Sequence, residues 1–347
     1  MRVARDHLTV LLNGLYDRGD DTFTVEHPAA ELGSLLTIEL DGYDDCTVRF
    51  DTDLAAYDDA RQDIRASYPE SVFEDLPTPD QYLKAMLASG IVKIANFEDV
   101  ASFVDRYGDP DLMAGHPPVV AGFDTNLMAW RMDRILGLRD PETGVGYVNG
   151  FVLATGVRDE LDWEHKCHDT TPFEDAFGPV FEEYWNQPLG AARIGRLGLL
   201  TYRTIRDIQQ ADEITSDRGD EAIIAAYDEY TDDHRSDVVL FSNDRNFVER
   251  ATSHTLLAQH IEFPSELPVR ARASWRELEH LLYTLAVVFG VIEVPTTTIY
   301  GVWRGKDQHD WQQQRLELDC RSTTLGPRLE ADLSIVETYD DLVSDDT

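Results

Sequence analysis

Lysine is almost missing from this chain. Only Lys84, Lys93, Lys166 and Lys306 stand among 30 basic residues, against 66 Asp and Glu. The formal net charge of −36 opposes a general nucleic-acid surface, because that affinity rests on cations neutralising phosphates. Cysteine is equally scarce: Cys46, Cys167 and Cys320 are far apart, odd in number and without CxxC spacing. That excludes a disulfide framework and points to a reducing interior. Long apolar runs are absent too, since the longest, Leu281 to Ile292, is too short to span a bilayer. Arg2, Arg5 and Asp6 precede only a short apolar stretch, so no secretory leader is expected. There is no Walker loop, GxSxG elbow or GxGxxG string. These absences leave a cytoplasmic protein with no membrane partner as the expectation, and homo-oligomerisation open.

Apolar residues are not lacking. At 42% they supply a folded core and exclude global disorder. The acid is spread along the whole chain, which reads as adaptation to a very salty cytoplasm, where salt screens self-repulsion. An acidic surface that recruits one basic partner is the less economical alternative.

Residues 1–115 read as an N-terminal α+β domain of unknown role. Thr22 to Val25, Leu35 to Leu40 and Thr47 to Phe50 are strand-like, and Leu54 to Tyr68 and Pro79 to Leu87 are helical. Breakers at Tyr107-Gly108-Asp109-Pro110 and Gly115-His116-Pro117-Pro118 mark a boundary. From Val119, buried strands alternate with helices, which indicates a parallel sheet. Its strands are expected at Val119, at Tyr147 to Ala154, at Val238 and at Gln259 to Phe263. Helices are expected at Leu127 to Leu136, from Thr155, twice within 172–210, and at Gly219 to Tyr230. Residues 265–340 read as a C-terminal extension: a helix from Trp275 capped by Ser274, then strand-like Thr296 to Trp303, Arg315 to Leu318 and Leu329 to Ile335. Residues 341–347 read as an acidic tail.

Two apolar runs each end in an aspartate, in Gly122-Phe123-Asp124-Thr125-Asn126 and Phe241-Ser242-Asn243-Asp244. In open α/β sheets, ligand sites lie beyond the carboxyl ends of the strands. Each string alone is also an ordinary helix-cap signal. Glu160, in Gly156-Val157-Arg158-Asp159-Glu160-Leu161, and Asp220, in Gly219-Asp220-Glu221, start helices on the same side of such a sheet. Asp159 and Glu164 compete with Glu160, and Asp217 with Asp220. Four converging carboxylates need a divalent cation to offset their repulsion, and oxygen donors suit Mg²⁺ or Mn²⁺. The pattern of HAD phosphatases fails at Asn126, where a second aspartate is required.

In these motifs the chain resembles the PIN-domain nucleases over residues 117–264. The resemblance implies a PIN-like α/β fold, a parallel sheet flanked by helices, carrying the N-terminal α+β segment and a C-terminal helix plus β-hairpin extension. It implies catalytic, metal-holding roles for Asp124, Glu160, Asp220 and Asp244, with Asn126 and Ser242 supporting them. The implied activity is metal-dependent hydrolysis of RNA, with DNA as the alternative substrate. A non-catalytic PIN-like protein binding RNA or a protein partner is the competing reading. The long stretch between Glu160 and Asp220 exceeds the compact toxin members of the family.

Three acid-poor stretches are candidate nucleic-acid contacts. Asn186 to Arg206 carries Arg193, Arg196, Arg203 and Arg206 on roughly one helical face. Leu267 to Trp275 carries Arg270 and Arg272. Val294 to Lys306 carries Tyr300, Trp303, Arg304 and Lys306, though a buried hairpin core suits Tyr300 and Trp303 slightly better. Glu164-His165-Lys166-Cys167-His168-Asp169 looks like a soft-metal cluster but lacks a second set of ligands for zinc, so polar helix surface is expected.

Overall fold

Buried at every residue, the apolar run Val119–Phe123 forms the middle strand of a five-stranded parallel sheet. The computed structural model describes all residues except 43, 44, 109, 139–145, 163–168, 346 and 347, so the Glu164 to His168 cluster lies outside the described residues. The chain divides into two units, residues 1–92 with 165–193 and 266–347, and residues 93–164 with 194–265.

The second unit is α/β. Its strands lie in the order Asp212–Ile214, Gly150–Ala154, Val119–Phe123, Asp237–Ser242 and Leu257–His260. All neighbours are parallel, and helices flank the sheet. The chain builds outward from Val119–Phe123 to one edge, then returns to the other side through Asp237–Ser242. These two strands therefore form the topological switch point, where such sheets open a crevice. Gly122 permits a close approach: a Cβ there would meet Leu240 at 2.7 Å and the Tyr227 ring at 2.8 Å. Tyr227 donates to Phe123 O at 3.3 Å and accepts from Ala154 N at 3.4 Å, tying two strand ends together.

Several expectations differ from the structure. The single helix expected over Leu127 to Leu136 is two short ones, Thr125–Met128 and Met132–Ile135, broken by Arg131 at φ 54°. Leu127, Met128, Ala129, Trp130 and Met132 are all buried, and one straight amphipathic helix would expose some of them. The edge strand Asp212–Ile214 was not expected, because it lacks a buried apolar run. The helix Phe97–Tyr107 was also missed, and it falls in the second unit rather than in an N-terminal domain ending at 115.

The first unit corrects the domain plan. Both ends of the chain share one eight-stranded antiparallel sheet, with Arg2–Ala4 at one edge paired to Arg315–Cys320 and Arg270–Ala273 at the other paired to Cys46–Phe50. The segments 1–115 and 265–340 are thus not separate. Helix Trp275–Phe289, capped by Ser274 and Glu277, is buried along almost its full length. Residues 329–335 are not a strand but part of helix Leu325–Asp345, whose Leu325, Leu329 and Leu333 are buried at four-residue spacing. Most of the stretch at Val294 to Lys306 is core: Tyr300 and Trp303 are buried, and Lys306 Nζ donates to Gly301 O and Arg315 O between the Trp303 and Trp311 rings, while Arg304 stays exposed and pairs with Glu182 at 3.3 Å.

Arg193 is also core. Its guanidinium is fully buried and donates to Asp75 Oδ1 at 2.6 Å, Asp75 O at 3.0 Å and Val288 O at 3.1 Å. Asp75 further accepts from Gly190 N at 2.9 Å. Removing one member of such a pair strands the other charge. Asp75→Asn is expected to lower unfolding free energy by about 3–5 kcal/mol, read from urea unfolding at fixed salt and pH.

Candidate functional site

Asp124 follows the middle strand directly and ends in a buried place, with 6% of its surface exposed. A carboxylate there must find donors or take up a proton. Three donors reach it. Thr125 N binds Oδ1 at 2.7 Å, while Ser242 Oγ and Asn126 Nδ2 bind Oδ2 at 2.6 and 2.8 Å. Ser242 comes from the end of the neighbouring strand across the switch point. Asn126 Oδ1 in turn accepts from Asn243 N at 3.3 Å.

Burial nevertheless wins, and the Asp124 carboxyl is pushed up to about 6. Desolvation is the main cause. The Ser242 hydroxyl and Thr125 amide pull it back, and the charges of Asp220 and Glu160 push it further up. Three of the four sequence-selected acids therefore share one electrostatic neighbourhood, although they lie far apart in sequence.

Glu160 is fixed at both oxygens, by Thr125 Oγ1 at Oε2 and by Gly219 N at Oε1 at 2.8 Å. Its helix, Thr155–Leu161, is stitched to the segment before Asp220: Gly156 N donates to Ser216 Oγ at 2.9 Å, and Ser216 N to Thr155 Oγ1 at 2.9 Å. The competitor Asp159 is engaged by Arg158 at 2.9 Å, and Glu164 lies outside the described residues. Asp220 opens helix Asp220–His234 and pairs with Arg250 at 3.2 Å. Asp244 adjoins the group through its amide, which donates to Ser242 Oγ at 2.8 Å, but its carboxylate caps helix Arg245–Ser253 by accepting from Asn246 N. Asp124 likewise caps helix Thr125–Met128. The cap reading and the cluster reading thus describe the same residues.

The expected arginine face does not form. Arg193 is buried in the first unit on Asp75, and Arg206 sits in a π-helical turn, Thr204–Ile208, engaged by Asp207 and Glu213. Arg196 and Arg203 remain half-buried. Sequence reading also missed Thr125, Gly219, Tyr227 and Arg250. Their types carry no signal alone; only the tertiary pairing brings them to the acids.

In donor chemistry, though not in arrangement, the acids suit a hard divalent cation. Their donor set is made of carboxylate oxygens that repel one another around a desolvated member, as Mg²⁺ or Mn²⁺ would offset. Among the described residues, no group of three or more His, Cys, Asp or Glu side chains is arranged to hold a metal ion. The carboxylates are satisfied instead by Thr125, Gly219, Arg250 and Asn246, and those contacts would have to be exchanged.

No protein-family model matches the chain, and no curated protein matches it.

The raised Asp124 pKa has a consequence for stability. The folded state holds this proton more tightly than the unfolded chain, so the group favours folding below about 4 and that contribution is lost as pH rises through about 6. Asp124→Asn is expected to stabilise the fold relative to wild type by up to about 3 kcal/mol at pH 7. The difference should grow between pH 4 and 6 and stay level above, read from paired urea titrations.

Proposed function

We propose that the second unit is a PIN-like, metal-dependent ribonuclease that hydrolyses phosphodiester bonds, with DNA as the alternative substrate. The observation that carries this reading is Asp124: a carboxylate at the switch point of a parallel sheet, raised chiefly by its burial and further by the charges of Asp220 and Glu160 from distant helices. Asp124, Glu160, Asp220 and Asp244 would hold Mg²⁺ or Mn²⁺. The chemistry such an ion supplies when bound is acidification of a water and offset of charge developing on a phosphate.

The chain's own residues prepare that chemistry. Ser242 and Asn126 hold the Asp124 carboxylate in one orientation against its desolvation. Above pH 6 Asp124 is ionised and available as a donor. Thr125 and Gly219 fix Glu160 beside it. The acid excess of the chain supports a salty cytoplasm as the setting.

One observation favours a second reading, a non-catalytic PIN-like protein that binds RNA or a protein. The acids are all engaged by protein donors rather than gathered for chelation. Calorimetry separates the two, because only the nuclease requires Mn²⁺ binding that depends on Asp124 and Asp244.

The decisive assay uses labelled RNA with Mn²⁺ in molar KCl. Wild type is expected to cleave it and Asp124→Asn to fall to background. Ser242→Ala should retain cleavage reduced about 10-fold, as for loss of a group supporting a ligand. Equal residual cleavage in wild type and Asp124→Asn would end the nuclease reading.

A further inference from the structure

The first unit has an open strand edge whose charge runs against the rest of the chain. Arg270–Ala273 is an outermost strand of the eight-stranded sheet, paired on one side only, to Cys46–Phe50. Phe50 N donates to Val269 O at 3.1 Å, directly opposite in that register. Successive residues of an antiparallel strand turn their main-chain groups to alternate sides. Val269, Ala271 and Ala273 therefore face Cys46–Phe50, and the N–H and C=O of Arg270 and Arg272 face outward. This outward run is closed at both ends. Pro268 has no N–H to offer, and Ser274 N is taken by Glu277 Oε2 at 2.7 Å.

The side chains mark what such an edge accepts. Arg270 and Arg272 share one face of the strand; the first is exposed, and the second is 87% exposed. No acid stands between Leu267 and Arg276, in a chain with 66 acids against 30 bases. Arg270 lies directly opposite Arg49, in a pair without mutual hydrogen bonds. Side chains approach most closely in such pairs, and like charges there cost stability. Arg49 is offset by Asp51 at 3.0 Å. Among the described residues Arg270 enters no ion pair, and Arg272 has a loose one to Asp45 at 3.6 Å, between exposed side chains. On the other face of the strand Val269 is 79% exposed, an apolar contact beside the two cations.

We propose that this edge docks an extended acidic segment of a partner protein, which adds as a further strand beside Arg270–Ala273 with carboxylates at alternate positions on Arg270 and Arg272. Main-chain pairing supplies affinity in this mode, and side chains at alternate positions supply specificity. A guanidinium meets a carboxylate with two parallel N–H groups, so the arginines set both sign and register. Charged side chains on an edge ordinarily ward off other strands. These two repel a cationic strand, and they repel a second copy of the same edge, which would set arginine against arginine. They admit an anionic one, and it relieves the Arg49–Arg270 repulsion. None of the second unit's acids takes part.

Fluorescence anisotropy on the full chain in 1 M KCl tests this with short labelled peptides in which glutamate alternates with valine. Wild type is expected to bind this peptide, and Arg270→Gln/Arg272→Gln to bind it about 10-fold more weakly. The same peptide N-methylated at its glutamates keeps its charges but cannot pair its main chain, and it should lose as much on wild type alone. A peptide with lysine in place of glutamate should not bind. Urea unfolding of the double variant should show a midpoint equal to or above that of wild type, since a like-charge pair has been removed.

A glutamate peptide that fails to bind wild type overturns the proposal. Equal affinity for the N-methylated peptide does so too, by reducing the edge to a charged surface, and so does unchanged affinity in the double variant. Binding of labelled single-stranded RNA that weakens in the double variant, with the peptide unbound, overturns it in favour of a nucleic-acid contact.

Discussion

The hydrogen bond from Ser242 to Asp124, 2.6 Å long and fully buried on the serine side, is the contact on which the second unit's site depends. It joins the ends of two adjacent parallel strands at the point where the sheet's connections change direction. A carboxylate at that depth has two ways to persist. It can be surrounded by donors, or it can surrender its charge. Here the two are nearly balanced: three donors reach it, and its proton is still held up to about 6. The local sequence serves that balance. Thr125 contributes both its amide to Asp124 and its hydroxyl to Glu160, so two acids are bound to one residue.

What the sequence made legible follows from range. Apolar runs ending at Phe123 and Phe241 predict buried strands because the signal is contiguous, and Thr78-Pro79 and Ser274 announce helices because caps are local. The strand-end acids were visible for the same reason. Failures arise where the deciding partner is distant. Four arginines at helical spacing look like one face, yet Arg193 is claimed by Asp75, 118 positions away. A π-helical turn at Thr204–Ile208 then takes Arg206 out of register. Leu329 to Ile335 alternates like a strand over seven residues. Only the wider four-residue spacing of Leu325, Leu329 and Leu333, which places Leu325 and Leu329 close against Gly14, identifies a helix.

The domain plan failed on topology rather than propensity. Strands at Thr22 and Arg315 were each recognised, but nothing in either segment says that they enter one sheet. That sheet requires Arg2 to register with Glu317 and Glu26 with Glu293. Antiparallel neighbours separated by hundreds of residues are specified by complementary faces and not by a local string. The same blindness hid Gly219 and Arg250. A glycine at φ 97° whose amide reaches Glu160, and an arginine one helix further on, acquire meaning only when the strands have been ordered.

That order also bears on how so acidic a chain would engage a phosphate-bearing ligand under the proposed function. In dilute buffer a charge of −36 would repel a polyphosphate over tens of ångströms. At about 1 M salt the screening length falls to roughly 3 Å, and the long-range field ceases to matter. Only groups in direct contact then discriminate. A broad basic face is superfluous under such conditions, and its absence from the helix Ala191–Arg203 is no argument against a phosphate-bearing ligand. What counts is whether a single guanidinium can be presented at the right place and time. Arg250 places a guanidinium on Asp220, one of the two acids whose charge raises Asp124 further once its burial has done so.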